Sequence, residues 1–592
     1  MAHRFLPCAL ALSTICWLWG ITAQAVNSRV QPSSPQSGVT IRMAPGSQAS
    51  AANPQANPPA DERTALAMAE RLLMSGKPAE AQAKYQAIVD VNPESIPAQV
   101  GVVRCLFIQQ KLGEAQSAID TALALHPNSP DLILTLGDLQ YAQGRIGDAE
   151  RSYVKAENLN PNDAAPYLGL AKVYRAASLY RRAYDNMKRA HELAPNDIPV
   201  QFLWFNSLAP PARIPSIESY LNKPDLNPQT ARALQEYLAF LKKSANAPVH
   251  PCRLISKVRK TDTKLYALSR SGTALGASGL TVKVNNHELH LALDTGASGV
   301  LLGGAAAQKL GLQRIGSQPI IGIGEKGEQA GYRAAVNRLQ VGDLEFQDCV
   351  VRVADAAQPV TGQDGLIGPD VFSAYQIDID IPGAKLRLSP LPKRPDASEA
   401  PTSLTTLSGE NPELDNTAPA NAATAAMNPD SLEMLYMPKD AYVAPEMADW
   451  TKVYRFRSLL LVPTKVDSTG PMLFLLDTGS YNNVLATQTA RELTEVRSDT
   501  STQIRGMSGS VSQIYRADKA SLQFGRYIQE NQDVVTFDLA NISRETGTHV
   551  SGILGFSTLR IMQIKLDYRD GLVDFVYDPK HLPKQIKLNK PN

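Results

Sequence analysis

This 592-residue chain has almost no excess charge of either sign. Its 59 Lys and Arg residues and its 57 Asp and Glu residues leave a formal net charge of +2. Such a balance does not point to nucleic acid or to an anionic membrane surface as a partner. We therefore expect no nucleic acid among its partners, and no membrane unless the N-terminal segment described below stays uncleaved.

Cysteine is also scarce, with five residues in all. Cys8 and Cys16 lie in the N-terminal apolar segment, which leaves Cys105, Cys252 and Cys349. An odd number of thiols does not indicate a disulfide framework. Cys252 and Cys349 fall in the same predicted domain and could pair, but the sequence does not fix the distance between them.

Two common hydrolase signatures are absent from the sequence. It has no Gly-x-Ser-x-Gly nucleophile elbow and no His-Glu-x-x-His zinc motif. His287, Glu288 and His290 are residue types that bind metals, but on a strand only Glu288 and His290 would share a face. No third ligand stands at motif spacing, so we expect no metal and no cofactor.

The N-terminus has the form of a secretion signal over residues 1–25. An apolar run from Phe5 to Ile21 follows Arg4, and Ala23-Gln24-Ala25 has the small-x-small form of a cleavage site. The run is short for a bilayer-spanning helix, which favours cleavage over an uncleaved anchor. We expect an extracytoplasmic protein, periplasmic or secreted. Residues 26–60, rich in Ser, Pro, Gln and Ala, are expected to be a disordered spacer.

A repeat at constant spacing occupies the next part of the chain. Proline recurs at Pro93, Pro127, Pro161 and Pro195, and Ala81, Ala115, Ala149 and Ala183 each stand at the same distance before one of them. The interval of 34 residues resembles the tetratricopeptide repeat, a helix–turn–helix unit. We predict an all-α array with capping helices over residues 61–245. Its concave surface would hold a protein or peptide partner, or else the array is a spacer or self-association module.

Two copies of another motif follow, 183 residues apart. Asp294-Thr295-Gly296-Ala297 and Asp477-Thr478-Gly479-Ser480 each follow an apolar run that predicts a buried strand. Other segments recur in the same order, which indicates an internal duplication. These paired segments are Tyr332-Arg333-Ala334 with Tyr515-Arg516-Ala517, Leu339 to Gly342 with Leu522 to Gly525, and Leu366-Ile367-Gly368 with Ile553-Leu554-Gly555.

These elements resemble the aspartic peptidase superfamily, in particular its retropepsin-like members. The resemblance implies two mostly-β lobes, residues 250–393 and 431–582, that form a pseudo-dimer, with residues 394–430 as a flexible linker. The overall fold class is then multidomain α and β, with the helical array first. An alternative is that like lobes pair between two chains.

The resemblance also implies a catalytic pair, Asp294 and Asp477, that activates a water molecule. Gly296 and Gly479 would leave room for the two turns, and Thr295 and Thr478 would interlock across the lobes. Ser480 is expected to donate its hydroxyl to Asp477, whereas Ala297 has no hydroxyl for Asp294. This difference predicts that Asp477 is the anion of the pair.

Glycines about thirty residues after each Asp predict a flap over the cleft. They are Gly322, Gly324 and Gly327 in the first copy and Gly506 and Gly509 in the second. The first set fits a dinucleotide-binding pattern, but Ala330 to Val341 has the character of a strand, whereas that pattern requires a helix. A plain surface hairpin is the alternative to a flap.

Together these observations predict an exported aspartic endopeptidase that hydrolyses a polypeptide substrate. The alternatives are a non-catalytic peptide-binding module and a repeat scaffold that carries a peptidase-like fold.

Overall fold

The computed structural model describes residues 60–208, 210–223, 226, 228–245, 252–269, 275–355, 363–395 and 439–579. The predicted signal peptide, almost all of the predicted spacer and all but the first two residues of the predicted linker lie outside the described residues. The chain forms two compact units. Of the described residues, the first unit takes in 60–143, 147–169 and 190–201, and the second takes in 144–146, 170–189 and those from 202 onward.

The described residues from 60 to 245 are helical. In chain order the helices are α1 (Ala60–Met74), α2 (Pro78–Val91), α3 (Ile96–Ile108), α4 (Leu112–Leu125), α5 (Pro130–Ala142), α6 (Ile146–Leu159), α7 (Ala164–Ala176), α8 (Tyr180–Leu193), α9 (Ile198–Ser207), α10 (Pro210–Leu221) and α11 (Pro228–Ala245). Each proline of the 34-residue repeat stands two residues beyond the end of α2, α4, α6 or α8, because proline cannot continue a helix.

Small residues in the first unit let neighbouring helices pack around an aromatic ring. A Cβ added to Gly101 would lie 2.4 Å from the ring of Tyr85, and one added to Gly169 would lie 2.4 Å from the ring of Tyr153. Both tyrosines are buried. The recurrence of small and large residues in the sequence therefore reflects helix-to-helix contact.

Strands dominate the second unit, where the first lobe precedes the second. The strands of lobe 1 are β1 (Arg253–Leu254), β2 (Thr261–Ser269), β3 (Leu275–Val284), β4 (His287–Leu293), β5 (Val300–Gly303), β6 (Arg314–Ser317), β7 (Gly331–Val341), β8 (Leu344–Ala354), β9 (Gly365–Ile367), β10 (Tyr375–Asp380) and β11 (Lys385–Pro390). A short helix α12 (Gly304–Lys309) follows β5, and a 3-10 turn (Pro369–Phe372) follows β9.

Lobe 2 repeats this order. Its strands are β12 (Thr451–Lys452), β13 (Tyr454–Phe456), β14 (Leu459–Val466), β15 (Met472–Asp477), β16 (Val484–Ala486), β17 (Val496–Ser498), β18 (Ile504–Gly506), β19 (Gly509–Val511), β20 (Tyr515–Phe524), β21 (Tyr527–Phe537), β22 (Gly552–Gly555), β23 (Met562–Asp567) and β24 (Leu572–Tyr577). Its helices are a 3-10 turn (Pro445–Met447), α13 (Thr487–Leu493), α14 (Ala540–Thr546) and α15 (Phe556–Leu559).

One sheet joins the two lobes. Strand β10 of lobe 1 pairs antiparallel with β23 of lobe 2, with Ile377 opposite Leu566 and Ile379 opposite Ile564. The shared sheet continues through β24 on one side and β11 and β2 on the other. The buried side chains of both lobes form one hydrophobic core. These features confirm the predicted fold class, with two β lobes paired within one chain. Pairing between chains is not needed to bring the two copies together.

Among the helices in the described ranges, none has both the length and the apolar character needed to cross a lipid bilayer.

Candidate active site

The two Asp-Thr-Gly turns lie at equivalent strand ends. Asp294 directly follows β4, which runs parallel to β9, and the Asp294 N–H donates to the carbonyl of Ile367 at 3.0 Å. Asp477 ends β15, which runs parallel to β22, with Asp477 in register with Gly555. The apolar-apolar-Gly segments that the sequence singled out are therefore the strands that support the turns.

The two turns hold each other through their threonines. The N–H of Thr295 donates to Thr478 Oγ1 at 3.0 Å, and the N–H of Thr478 donates to Thr295 Oγ1 at 2.9 Å. Each hydroxyl in turn donates to the strand of the other lobe, Thr295 to the Leu476 carbonyl and Thr478 to the Leu293 carbonyl. The structure thus places both threonines in the interlocking position expected from the resemblance.

The glycines of the two turns allow the carboxyl groups to approach. A Cβ added to Gly296 would lie 2.6 Å from Asp477 Cγ, and one added to Gly479 would lie 2.5 Å from Asp294 Cγ. Real Cβ atoms do not approach other atoms this closely. Each Asp therefore needs glycine in the opposite turn, and the two carboxyl groups meet between the turns.

Burial and mutual repulsion shift the acidities of this pair. Burial and the adjacent Asp477 raise the pKa of Asp294 well above its usual range. Burial also raises the pKa of Asp477, but the hydrogen bond from Asp294 and the N–H groups of Ser480 and Gly479 oppose that rise. Two close carboxyl groups cannot both ionise cheaply, so the pair shares a proton. The stronger rise in the pKa of Asp294 favours Asp477 as the anion and Asp294 as the acid.

The predicted source of this inequality is wrong in one detail. The hydroxyl of Ser480 donates to the carbonyl of Asn482 at 3.3 Å and makes no hydrogen bond to Asp477. The backbone gives each acid two donors: Asp477 Oδ1 accepts the N–H groups of Gly479 at 2.8 Å and Ser480 at 3.0 Å, and Asp294 accepts those of Gly296 and Gly479. In its own turn Asp294 accepts the N–H of Gly296 at 2.8 Å. The hydroxyl that Ala297 lacks therefore does not distinguish the two acids.

Two side chains that the sequence analysis did not single out brace the turns. In lobe 1 the buried carboxylate of Asp370 accepts the Ser298 hydroxyl at 2.9 Å and the Gly299 N–H at 2.8 Å. In lobe 2 the buried amide of Asn483 accepts the Gly555 N–H at 2.9 Å and donates to Thr558. A signal for Asp370 was present, since a carboxylate two residues after the supporting Gly follows a buried strand.

The predicted flap glycines lie in two segments that meet. We name residues 320–329 flap 1 and residues 504–511 flap 2. Flap 1 contains Gly322, Gly324 and Gly327, and its ends pair through Ile320 and Gln329. Flap 2 is the β18–β19 hairpin, with Gly506 opposite Gly509 across the turn. The segment after flap 1 is strand β7, as predicted, so the dinucleotide-binding alternative is wrong.

Ser508, at the tip of flap 2, joins the two flaps. Its side chain is buried, and its hydroxyl accepts the Gly322 N–H at 3.1 Å and donates to the Gly327 carbonyl at 2.7 Å. Its backbone N–H donates to the Ile323 carbonyl, and its carbonyl accepts the Lys326 N–H. The sequence analysis missed this serine, which carried no signal beyond its place between two predicted glycines.

The cysteine pair left open by the sequence is bonded in the structure. Cys252 and Cys349 form a disulfide with a Cα–Cα distance of 4.2 Å. It ties the start of lobe 1 to strand β8. Cys105 is a buried free thiol in α3. Within the described ranges, no group of three or more His, Cys, Asp and Glu side chains is arranged to hold a metal ion.

Comparison with known families agrees with this architecture. Residues 280–371 and 462–558 match the family described as aspartyl protease. Residues 72–131 and 106–173 match the tetratricopeptide repeat family. The two protease matches cover the same parts of the two lobes, from β3 or β14 to the segment after the supporting strand. The chain thus combines an aspartyl-protease-like pair of lobes with tetratricopeptide repeats.

Two of the solved structures that are similar to the chain each match less than a third of it. A thermophilic TPR protein from Thermus thermophilus is 17% identical, with a TM-score of 0.27, over 31% of this chain and 99% of that one. A structure described as a functional characterisation of Pseudomonas aeruginosa pilF is 18% identical, with a TM-score of 0.25, over 31% of this chain and 87% of that one. Scores this low carry no functional argument. None of the curated proteins is significantly similar to this chain.

At the level of class, the family match supports a hydrolase of the aspartyl protease kind. Tetratricopeptide repeats generally mediate protein–protein interaction, which supports a protein partner in general.

Proposed function

We propose that this protein is an exported aspartic endopeptidase whose Asp294 and Asp477 activate a water molecule to hydrolyse peptide bonds. The observation that carries the proposal is the meeting of the two carboxyl groups, each packed against the glycine of the opposite turn. A turn motif on its own is common in loops. Here the two motifs are held together by reciprocal hydrogen bonds of their threonines, and these bonds do not involve the acids. Holding the turns together therefore does not explain why both carry an aspartate.

The inequality of the two acids assigns their roles. Asp477, whose rise in pKa is partly offset by the hydrogen bond from Asp294, is the anion and takes a proton from water as the water oxygen attacks the scissile carbonyl carbon. Asp294, whose pKa is raised the more strongly, is the acid and donates its proton to the carbonyl oxygen. The intermediate collapses when Asp477 passes the proton it took from water to the amide nitrogen, Asp294 takes back a proton from a hydroxyl of the intermediate, and the bond between carbon and nitrogen breaks. Sharing one proton between two carboxyl groups is a known property of aspartic proteases.

Export is supported by the N-terminal sequence and by the disulfide. The segment before Ala25 has the form of a cleavable signal, although it lies outside the described residues. Most cytosols would keep Cys252 and Cys349 reduced as thiols, whereas a disulfide between them persists in oxidising compartments. We therefore place the protein outside the cytoplasm, in the periplasm or the medium.

The repeats would bring a protein substrate or partner to the enzyme. Their helix pairs have the repeat spacing of a module that presents an extended surface to other proteins. The polypeptide that is cut would lie extended below the flaps, with its backbone paired to them.

A digestion assay with matched variants tests the proposal. The full-length protein is incubated with unfolded casein from acid to neutral pH, beside Asp294→Asn and Asp477→Asn. We expect cleavage by the native protein and a loss of at least about a thousandfold in kcat/KM in both variants, because each removes one member of the acid–base pair. Asp518→Asn, which changes an exposed carboxylate on β20, is the control and should cleave normally.

The other outcomes are informative as well. Equal cleavage by the native protein and both site variants would point to a contaminating protease and would overturn the proposal. No cleavage at any pH, together with retained binding of unfolded casein, would favour the non-catalytic peptide-binding alternative.

A further inference from the structure

One exposed stretch at the start of lobe 1 concentrates positive charge. It covers residues 253–260, from strand β1 to the residue before β2, and we name it the basic loop. Half of its residues are cations, none is acidic, and all of the cations are exposed: Arg253, Lys257, Arg259 and Lys260. The net charge of the whole chain, +2, averages this stretch with the rest of the sequence and so does not reveal it.

Three of these cations have no acidic partner. Within the described ranges, no ion pair or hydrogen bond involves the side chain of Lys257, Arg259 or Lys260. Only Arg253 faces an acid, with Asp348 at 3.7 Å. The three others lie within about 11 Å along the backbone even if it is fully extended. That span is close to the Debye length of about 8 Å in physiological salt, so their potentials add.

The acids that border the loop are engaged by other cations. Asp262, the first acid after the loop, lies 3.5 Å from both Lys385 and Arg387. Glu345, on the strand that pairs with β1, lies 2.5 Å from Arg338. The positive charge of the basic loop is therefore available to a partner outside the chain.

Two aliphatic side chains are exposed among these cations. Ile255 is 40% exposed and Val258 is 47% exposed, although most large aliphatic side chains of the lobes are buried. Aliphatic side chains set among Lys and Arg are typical of segments that lie at a membrane surface, where the cations meet lipid phosphates and the aliphatic groups enter the acyl boundary. A purely acidic polypeptide would match the cations and leave the aliphatic groups in water.

The backbone of the loop is fixed before any partner binds. The residue before it, Cys252, is bonded to Cys349. The N–H groups of Ile255 and Ser256 donate to the Glu345 carbonyl at 2.8 and 3.3 Å. The Ser256 hydroxyl accepts the Glu345 N–H and donates to the Val258 carbonyl. Binding through such a loop requires little additional ordering of the chain.

We propose that the basic loop is a peripheral membrane-binding site that docks this protein on an anionic lipid surface. Lys257, Arg259 and Lys260 lie against the lipid phosphates, and Ile255 and Val258 enter the boundary between headgroups and acyl chains. The binding is reversible and sensitive to salt, because screened charge supplies much of it. The proposal goes beyond the peptidase activity and does not depend on it.

Sedimentation with sucrose-loaded vesicles tests the proposal on the full-length protein. One set of vesicles is phosphatidylcholine alone, and the other contains about one third phosphatidylglycerol, which supplies the anionic surface. We expect roughly a hundredfold preference for the anionic vesicles in low salt, because each cation near such a surface contributes about a factor of five. Salt at about 0.5 M should remove most of that preference.

Two double substitutions separate the charges from the aliphatic groups. Lys257→Gln with Lys260→Gln should lower the preference about twentyfold, since two of the three uncompensated cations are lost. Ile255→Ser with Val258→Ser should weaken binding to anionic vesicles several-fold and keep its salt dependence, because only the apolar contact is lost. Unchanged urea midpoints for both variants establish that they are folded.

Matched controls change the same residue types elsewhere. Lys465→Gln with Lys519→Gln removes two exposed cations of lobe 2, and Val91→Ser changes an aliphatic side chain that is 87% exposed. Both should bind vesicles as the native protein does. Any contribution from the apolar run between Phe5 and Ile21 is common to all variants and cancels in these comparisons. Hydrogen exchange in the same samples should show protection of residues 253–260 with anionic vesicles only.

Three outcomes would overturn the inference. The first is equal binding of the native protein to both kinds of vesicle. The second is a preference for anionic vesicles that survives both double substitutions in the loop, which would place the site elsewhere. The third is binding of polyglutamate without binding of vesicles, which would assign the loop to an acidic polypeptide. Vesicle binding is measured without turnover, so failure of the peptidase proposal appears separately, in the casein assay.

Discussion

The two lobes hold the same turn with different chemistry. Behind the Asp294 turn stands a carboxylate, Asp370, which accepts hydrogen bonds from Ser298 and Gly299. Behind the Asp477 turn stands a neutral amide, Asn483, which both accepts and donates. The duplication has kept the path of the backbone, whereas the side chains that stabilise it have diverged.

The difference has an electrostatic consequence. Burial raises the pKa of Asp370, and its hydrogen bonds and the nearby Arg352 and Arg455 only partly offset that rise. A buried charge with incomplete compensation costs stability, whereas a buried amide with all its partners does not. The turn of lobe 1 is thus held by a charged side chain, Asp370. The turn of lobe 2 is held by a neutral one, Asn483, whose amide must accept one hydrogen bond and donate another.

The largest effect on stability is expected from substitutions that exchange the charged and neutral side chains at Asp370 and Asn483. Asn483→Asp places a carboxylate against Asn531 Oδ1, now 2.9 Å from the amide nitrogen, and removes a buried donor. We expect a loss of about 3–5 kcal/mol, because two acceptors then face each other and the charged one is buried. Asp370→Asn keeps one accepting oxygen and should cost about 1 kcal/mol. Urea unfolding of both variants at pH 6 measures the two values.

Equal losses in the free energy of unfolding for Asn483→Asp and Asp370→Asn would contradict this prediction. Asn483→Ser, which removes the amide without adding charge, separates lost hydrogen bonds from an added charge. It should fall between the other two variants.

One pair of residues at equivalent positions of the two lobes predicts how stability depends on pH. Asp380 in lobe 1 and Asp567 in lobe 2 both accept an N–H from the turn that follows, from Gly383 and Asp570. Asp380 is half-buried and ion-paired with Arg387. Asp567 is fully buried, and burial together with the adjacent Asp570 raises its pKa to about 7. The same turn is therefore pH-sensitive in one lobe.

The sign of this effect follows from the raised pKa. The carboxyl group of Asp567 binds its proton more tightly in the folded state than in the unfolded state. Its contribution to the free energy of unfolding is therefore greatest at acid pH. It declines as pH rises from about 4 to about 7. Asp567→Asn keeps the bond to Asp570 and removes the titration. It should stabilise the protein by a few kcal/mol at pH 8 and by little at pH 4.

Thermal unfolding at both pH values measures this difference. Asp380→Asn is the matched control and should lower stability slightly at both, because it loses an ion pair that is partly screened by water. Equal shifts for Asp567→Asn at pH 4 and pH 8 would contradict the prediction.

Much of this architecture could be predicted because it depends on backbone requirements that constrain residue type. The glycines at 296 and 479 are required by close approach, the prolines by helix ends, and the apolar runs by burial on parallel strands. Each leaves a signal in a single sequence. The bond between Cys252 and Cys349 could not be predicted, because it depends on the pairing of β1 with β8.

The parts that could not be predicted depend on side-chain direction. In the sequence, neither Ser508 nor Met507 differs from other serine or apolar residues. Ser508 finds its hydrogen-bond partners only where the two flaps meet, and Met507 of lobe 2 packs against side chains of lobe 1. Likewise, the sequence shows that residue 480 has a hydroxyl but not where the hydroxyl points. Contacts between side chains from distant segments leave no periodic pattern to detect.

The smallest expected effect is the sharpest test of what makes the two acids unequal. Ser480→Ala and Ala297→Ser exchange the one side chain that distinguishes the two motifs. Because the Ser480 N–H, and not its hydroxyl, reaches Asp477, we expect neither variant to move the pH profile of kcat/KM. That profile should fall at low pH as Asp477 gains a proton and at high pH as Asp294 loses one. If the hydroxyl did stabilise the anion, Ser480→Ala would raise the pKa of Asp477 and move the acid limb to higher pH. An unmoved limb in both variants excludes the side chains at 297 and 480 as the source of the asymmetry.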